Sequence, residues 1–188
     1  MSFLRVYHEA DGQQPLLATR DDARISGELE AHGIRFEHWP LRHALGPAAD
    51  QETVLAAYGE ELALLRQQTD FAIAEVIGLT PDHPDSAALR ERFLEEHHNS
   101  DEEVRFFVRG EGIFYLHLAE RVYVVGCVAG DLMTIPAGTR HWFDMGPAPD
   151  FTAIRLYSDH RDRVASMTGS RIASRFPRFE ALSEERAA

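Results

Sequence analysis

The sequence predicts a mainly β fold, an antiparallel sandwich or barrel, that carries an N-terminal α+β portion. Four short runs rich in β-branched and aromatic residues follow one another between residues 104 and 135, punctuated by glycine and proline. A fifth run of this kind extends from Phe151 to Tyr157. Several short strands at close spacing, with Gly and Pro turns, are typical of antiparallel sandwiches and barrels.

The first part of the chain mixes helical and β patterns. The clearest helix begins after Asp50, a residue that can cap it, and its apolar residues recur along one stripe. The predicted elements here are β-like runs from Phe3 to Tyr7 and from Ile34 to Trp39, and helices from Asp21 to Ala31, from Gln51 to Gln68 and from Ser86 to Glu95.

Length and composition indicate one soluble domain. The chain has 188 residues, of which 44% are hydrophobic and 27% are charged, an ordinary balance for a globular protein. We expect a single domain over residues 1–188. Residues 1–95 would form the α+β portion, residues 96–160 the β-barrel core with the functional site, and residues 161–188 a C-terminal tail.

The net charge and the absence of recognisable targeting signals limit which classes of partner and which cellular location we expect. A formal net charge of −12 argues against nucleic acid, since affinity for phosphates comes from Lys and Arg. We see neither a bilayer-spanning apolar run nor a signal peptide, so we expect a cytoplasmic protein without a membrane partner. Nothing in the sequence calls for more than a monomer. The single cysteine, Cys127, lies in an apolar run and is predicted to be a buried, inert thiol.

The densest chemical segment runs from Glu95 to Glu103, with two histidines and five carboxylates in nine residues. Charged runs of this kind are often solvated acidic loops without a functional role. A second segment, however, places His141 just past a Pro-x-Gly turn, at the start of another aromatic run. Residues 97 and 99 alternate along a strand and so face the same way, and a facing strand would bring His141 into the same space. Imidazoles with a carboxylate and open positions suit Fe(II) or Ni(II).

Together the two segments resemble the two motifs of the cupin superfamily. Glu91 stands where that pattern has a glycine, and Met145 stands where it ends in asparagine. The resemblance implies the cupin double-stranded β-helix, a jelly-roll barrel. The matching positions are His97, residue 99, Glu103 and Gly110 in the first motif, and Gly130, Pro136, Gly138 and His141 in the second.

A closer resemblance is to acireductone dioxygenases of the bacterial type. It implies an enzyme that holds one Fe(II) or Ni(II) per chain at positions 97, 99, 103 and 141. Position 99 departs from the family, because Asn99 stands where the second histidine of His-x-His is expected. The segments that carry this resemblance are Glu96-His97, Asp101 to Phe107, Pro136 to Gly146, Phe151 to Leu156 and Ile172 to Pro177.

The predicted metal site is therefore His97, Asn99, Glu103 and His141. His98 is the alternative to Asn99, although it is one residue out of step and would face the opposite side unless the segment slips or bulges. An amide oxygen is a weak ligand for a transition metal. Without it, two histidines and one glutamate still have the composition of the triad found in non-haem iron oxygenases. The choice between iron and nickel stays open.

The resemblance also implies a substrate and roles for several residues. The substrate would be the acireductone 1,2-dihydroxy-3-keto-5-methylthiopentene of methionine salvage, cleaved with O2. The iron form would give 2-keto-4-methylthiobutyrate and formate, and the nickel form 3-methylthiopropionate, formate and CO. Arg105 would favour the ionised substrate by its fixed charge. Phe93 and Phe143 would enclose the methylthio tail, and Glu96 and Glu102 would orient the ligands.

Asn99 keeps two other hypotheses open. In the first, the chain is a cupin enzyme of altered chemistry, in which the changed position admits a different oxygenation or an isomerisation. In the second, it is a low-activity protein that binds a small enolate or a partner protein and holds little or no metal.

Overall fold

The computed structural model describes residues 1–158 and 165–187. Within these residues the strands are β1 (Phe3–His8), β2 (Leu17–Thr19), β3 (Phe36–His38), β4 (Ile73–Leu79), β5 (His97–His98), β6 (Glu103–Leu118), β7 (Arg121–Val128), β8 (Asp131–Ile135), β9 (Arg140–Asp144), β10 (Phe151–Tyr157) and β11 (Ser166–Met167). The helices are α1 (Asp22–Glu30), α2 (Gln51–Ala57), α3 (Gly59–Gln68), α4 (Ser86–Phe93) and α5 (Phe179–Ala187), with a 3₁₀ helix at Ile172–Arg175.

The long strand β6 organises the antiparallel sheet by pairing with different neighbours along its two halves. Its first half pairs with β8 and β10, and its second half pairs with β7 and β9. Gly110 lies between the halves with φ of 71°, and a Cβ there would come within 1.8 Å of the carbonyl oxygen of Asp150. Glycine is therefore required at this close approach. The two runs that the sequence predicts as separate strands form one strand around this residue.

The main core draws residues from both halves of the sheet, and the predicted mainly β fold is confirmed. Phe107, Phe114 and Phe143 are buried there together with Cys127. Burial raises the pKa of the Cys127 thiol well above its ordinary value, as expected for the predicted inert thiol. The N-terminal portion joins the same sheet, because β1 pairs with β7, β3 with β8 and β4 with β10.

The predicted helix from Gln51 to Gln68 is wrong in one respect, because the structure divides it into α2 and α3. The backbone leaves helical geometry at Tyr58, with φ of −101° and ψ of 22°, and the next residue is Gly59, a poor helix former. The Tyr58 side chain is fully buried against Phe106. Asp50 caps α2 as predicted, since its carboxylate accepts from the backbone N–H three residues on at 2.8 Å.

The described part of the C-terminal region packs on a second apolar cluster. Ile172, Phe176 and Leu182 are buried there against Trp142. The predicted boundary between barrel and tail, at residues 160 and 161, lies outside the described residues. Among the described residues, no helix is both long and apolar enough to span a bilayer.

Candidate active site

A cavity of about 390 Å³ opens between β5, β6, β9 and β10, with α4 and β11 at its edge. All four predicted metal positions line it, and so do the predicted substrate residues Arg105, Phe93 and Phe143. The lining residues are Leu89, Arg92, Phe93, His97, Asn99, Glu103, Arg105, Phe114, His141, Phe143, Arg155, Ala165 and Met167.

Strand pairing brings the two predicted histidine ligands together. In the β5–β9 pair His97 lies opposite His141, and their ring centroids are 4.4 Å apart. The turn before β9 is a Pro-x-Gly turn in which Gly138 has φ of 76°. The Gly138 N–H donates to the carbonyl of Asn99 at 2.8 Å, which ties this turn to the segment that follows β5. The two sequence motifs therefore meet through main-chain hydrogen bonds.

Both imidazoles are buried and held by the main chain. Nδ1 of His97 lies 2.8 Å from the carbonyl oxygen of Glu95, and Nδ1 of His141 lies 2.8 Å from that of Thr139. A carbonyl only accepts, so each Nδ1 carries a proton, and Nε2 is the nitrogen left to bind a metal. This arrangement fixes the tautomer and the orientation of histidines that bind metals.

Electrostatics keep His141 neutral, which is the form that ligates a metal. Burial, reinforced by the neighbouring His97, lowers the pKa of His141 to about 4. The carboxylate of Glu103 acts in the opposite direction but does not restore the ordinary value. At neutral pH the His141 ring therefore presents an Nε2 lone pair.

Glu103, the first residue of β6, is a buried carboxylate between two arginines. Arg105 donates to Oε1 from Nε at 3.0 Å and also from Nη2. Asn99 donates from Nδ2 to Oε2 at 3.2 Å, and Nη1 of Arg155 lies 3.9 Å from Oε2. Burial alone would raise the pKa of Glu103, but the guanidinium groups outweigh it and hold the pKa below its ordinary value. The carboxylate is therefore ionised.

The residues fit a divalent transition metal by the chemistry of their donors. Two imidazoles and one ionised carboxylate line the same cavity, which is the two-histidine, one-carboxylate composition that leaves positions open to substrate. In the part of the chain that the structure describes, no three His, Cys, Asp or Glu side chains stand close enough to enclose an ion. Glu103 is paired with Arg105 in this arrangement. The ligand set stays a prediction.

Comparison with known proteins identifies the family. The family model described as ARD/ARD' matches residues 4–165. The acireductone dioxygenase of Hahella chejuensis is 51% identical over 185 residues, which is 98% of this chain and 100% of that protein. This chain belongs to the acireductone dioxygenase family. The acireductone dioxygenase of Marinobacter nauticus is 48% identical, over 97% of this chain and 98% of that protein.

A solved structure of the family agrees with the fold. The acireductone dioxygenase from Bacillus anthracis, with a cadmium ion in its active centre, superposes with a TM-score of 0.75 at 26% identity. The match covers 88% of this chain and 97% of that chain.

Glu96 and Glu102, the two residues predicted to orient the ligands, lie outside the cavity lining. The Glu96 carboxylate is buried but binds Nδ1 of His117 at 2.6 Å and the Thr168 hydroxyl at 2.6 Å, so it holds β5 to β6 and to the residue after β11. Glu102 is half-buried, and burial raises its pKa, with a smaller effect from Asp101. Their predicted roles in orienting the ligands stay predictions.

His98, the alternative ligand, does not line the cavity. It pairs with Ser166 of β11, one residue out of step with His97, as the alternation of a strand dictates.

Arg155, a second arginine in the cavity lining, was not among the site residues predicted from the sequence. It lies opposite Arg105 in the β6–β10 pair and forms an ion pair with Glu75. Its Nε is buried without a hydrogen-bond partner among the described residues. A signal existed, because an arginine inside the apolar run from Phe151 to Tyr157 needs a buried partner or a ligand.

Proposed function

We propose that this chain is a metal-dependent dioxygenase that cleaves 1,2-dihydroxy-3-keto-5-methylthiopentene with O2 in methionine salvage. An iron form would yield 2-keto-4-methylthiobutyrate and formate, and a nickel form 3-methylthiopropionate, formate and CO. It would act in the cytoplasm as a monomer. Relatives named acireductone dioxygenase support this reaction. The observation that carries it is the pair of imidazoles, each held at Nδ1 by a main-chain carbonyl so that Nε2 is the atom left to ligate, beside an ionised carboxylate in one cavity.

His97, Glu103 and His141 would hold one Fe(II) or Ni(II) per chain. The cadmium ion in the active centre of the Bacillus anthracis relative supports a divalent cation at this place. When bound, the metal supplies a Lewis acid and a redox partner for dioxygen chemistry. The backbone carbonyls that bind both Nδ1 atoms keep the two rings oriented before the ion arrives.

Arg105 and Arg155 would stabilise the ionised enediol of the substrate. Both arginines line the cavity beside Glu103, and each brings a positively charged guanidinium group. A fixed cation next to an enediol lowers the free energy of its anion and so favours loss of its proton. Nε of Arg155 adds a buried donor that no described residue satisfies.

The apolar wall of the cavity would hold the methylthio tail. Phe93 and Phe143 meet edge to face with ring centroids 6.4 Å apart, and Leu89 and Met167 line the same cavity. Burying an apolar chain against such a wall contributes about 25 cal/mol per Å² removed from water.

Oxygen uptake with the synthetic acireductone tests the proposal. The protein is stripped with a chelator, reloaded with one equivalent of Fe(II) or Ni(II), and followed with an oxygen electrode while formate and CO are measured. We expect uptake from loaded protein, none from stripped protein, and none from His141→Ala. His43→Ala is the matched control, since His43 is exposed and lies outside the cavity lining, and it should behave as wild type. Loaded wild-type protein without uptake would refute the proposal.

One observation keeps an alternative in view. The Asn99 amide donates to Glu103, so the position at which the family pattern has a third imidazole offers none here. An altered cupin chemistry would appear as stoichiometric metal without oxygen uptake. A low-activity binding protein would appear as protein that takes up no metal.

A further inference from the structure

We infer that Asn99 is a positioning residue, whose side-chain amide holds the Glu103 carboxylate by a hydrogen bond and does not itself ligate the metal. The site then has three protein ligands, His97, Glu103 and His141. This inference rests on the part of the proposed function that places a metal at these three residues.

The amide of Asn99 turns its donating end towards Glu103. Nδ2 of Asn99 lies 3.2 Å from Oε2 of Glu103. An ionised carboxylate only accepts hydrogen bonds, and an amide has one end that donates and one that accepts. Because Arg105 and Arg155 flank Glu103, its carboxylate is anionic and selects the donating end of the amide. The oxygen of Asn99, the atom that could ligate, is directed away from that carboxylate.

The Glu103 carboxylate has a limited number of acceptor sites. Arg105 donates two hydrogen bonds to Oε1, from Nε and from Nη2, and a carboxylate oxygen has two lone pairs. On Oε2 the Asn99 amide occupies one lone pair and leaves the other. Asn99 and Arg105 together therefore bind the carboxylate through both of its oxygens and leave one acceptor site of Glu103 open to a metal ion.

The side chain and the main chain of Asn99 make separate contacts. Its carbonyl accepts from the Gly138 N–H at 2.8 Å, in the turn that leads into the strand of His141. Substitution of the side chain leaves this main-chain hydrogen bond available. Variants at position 99 therefore report on the amide and its contact with Glu103, while the alignment of the two motif segments is kept.

The Asn99→Asp variant gives opposite results for a positioning residue and for a ligand. Aspartate cannot donate to Glu103 and places a second carboxylate beside it, whereas an aspartate oxygen would be a stronger metal ligand than an amide oxygen. Competition titration of stripped protein with Co(II) and Ni(II) measures the affinity. We expect a fall of about tenfold or more, the usual effect of losing a group that orients a ligand. Unchanged or higher affinity would overturn the inference.

The neighbouring residue supplies the matched control. His98→Asn changes the adjacent histidine, which does not line the cavity, and should leave the affinity within about twofold of wild type. Loss of metal binding in this variant would make His98 a ligand and refute the three-ligand site. The melting temperature of each stripped variant shows whether it folds. If Asn99→Asp does not fold, Asn99→Leu removes the donor without adding charge, and the same fall in affinity is expected.

X-ray absorption of the Ni(II)-loaded protein gives a readout that does not depend on turnover. We expect two imidazoles per metal in wild type and three in Asn99→His. Three imidazoles in wild type would overturn the inference. Wild type that holds metal on two imidazoles but consumes no oxygen would refute the proposed function and leave the role of Asn99 standing. Wild type that takes up no metal would refute both.

Discussion

Two of the ionic clusters in the described residues differ in how completely their charges are paired. In the first, Arg90 donates to both carboxylate oxygens of Asp144, at 2.7 and 3.0 Å, and to both of Glu180, at 2.9 and 2.7 Å. In the second, Arg105 and Arg155 surround Glu103 in the wall of the cavity. There Nε of Arg155 is buried without a hydrogen-bond partner in residues 1–158 and 165–187.

This difference separates a structural ion cluster from a functional one. The Arg90 cluster joins α4, β9 and α5, and backbone N–H groups complete the coordination of Asp144, from Gly146 and from Phe179 at 3.0 Å each. Among the described residues, no buried side-chain polar atom of this cluster lacks a hydrogen-bond partner. Buried groups are normally satisfied in this way, and the cavity cluster departs from that rule at Nε of Arg155.

The largest effect should come from breaking the fully paired cluster. Arg90→Met leaves the Asp144 carboxylate buried, with its side chain 0% exposed, and removes its counter-ion. Loss of one partner of a buried pair costs about 3–5 kcal/mol, which chemical denaturation measures as a fall in the free energy of unfolding. Arg178→Met is the control, because Arg178 pairs with Glu91 at 3.4 Å on the surface and should change stability by less than about 1 kcal/mol. Equal losses in the two variants would refute the comparison.

In the cavity cluster the expected loss is one of catalysis. Arg105→Met removes a cation from the place where the substrate anion would lie, and we expect turnover to fall by about 10²–10³-fold. Its effect on stability should be smaller than that of Arg90→Met, because Arg155 still faces Glu103. Oxygen uptake and chemical denaturation on the same protein check both parts. A variant that unfolds easily but turns over normally when folded would reverse the roles assigned to the clusters.

A smaller effect is expected at the apolar wall. Phe93→Ala opens the side of the cavity where the methylthio tail would lie, against Phe143. Loss of this contact should reduce the preference for the methylthio substrate over an acireductone without the tail by about tenfold, because small apolar differences are worth about 1–3 kcal/mol. The ratio of kcat/KM for the two substrates measures it. Leu64→Ala, at an exposed leucine of α3, should leave the ratio unchanged.

The sequence predicts the parts of the site that depend on local patterns. His97, Glu103 and His141 line one cavity, as predicted. They could be predicted because alternation along a strand and a Pro-x-Gly turn are short-range features of the sequence. Arg155 was not predicted. The pairing of β10 with β6 shifts register between Thr152 and Ala153, so the face on which Arg155 lies depends on a bulge that the run itself does not reveal.

The fully paired cluster could not be predicted for a related reason. Arg90 and Asp144 are 54 residues apart, and Arg90 and Glu180 are 90 apart, so no periodicity links them. The break between α2 and α3 was also missed. There the burial of Tyr58 against Phe106, a tertiary contact, combines with the weak helix propensity of Gly59.

The smallest expected effect lies at the exposed edge of the paired cluster, at Glu180, and depends on pH. The hydrogen bonds from Arg90 lower the pKa of Glu180 below its ordinary value. Because its pKa is lowered in the folded state, the ionised carboxylate stabilises the fold at pH values above its unfolded-state pKa of about 4.3. This contribution disappears as the pH falls through the folded-state pKa. The side chain is 46% exposed, so solvent screening limits the contribution to less than about 1 kcal/mol.

At neutral pH the Glu180→Gln variant should therefore have a melting temperature no more than about 2–4 °C below that of wild type. That difference should shrink as the pH falls below about 4. Glu91→Gln, at the exposed pair, is the control and should show a smaller difference at neutral pH. A Glu180→Gln difference that grows as the pH falls would contradict the assignment.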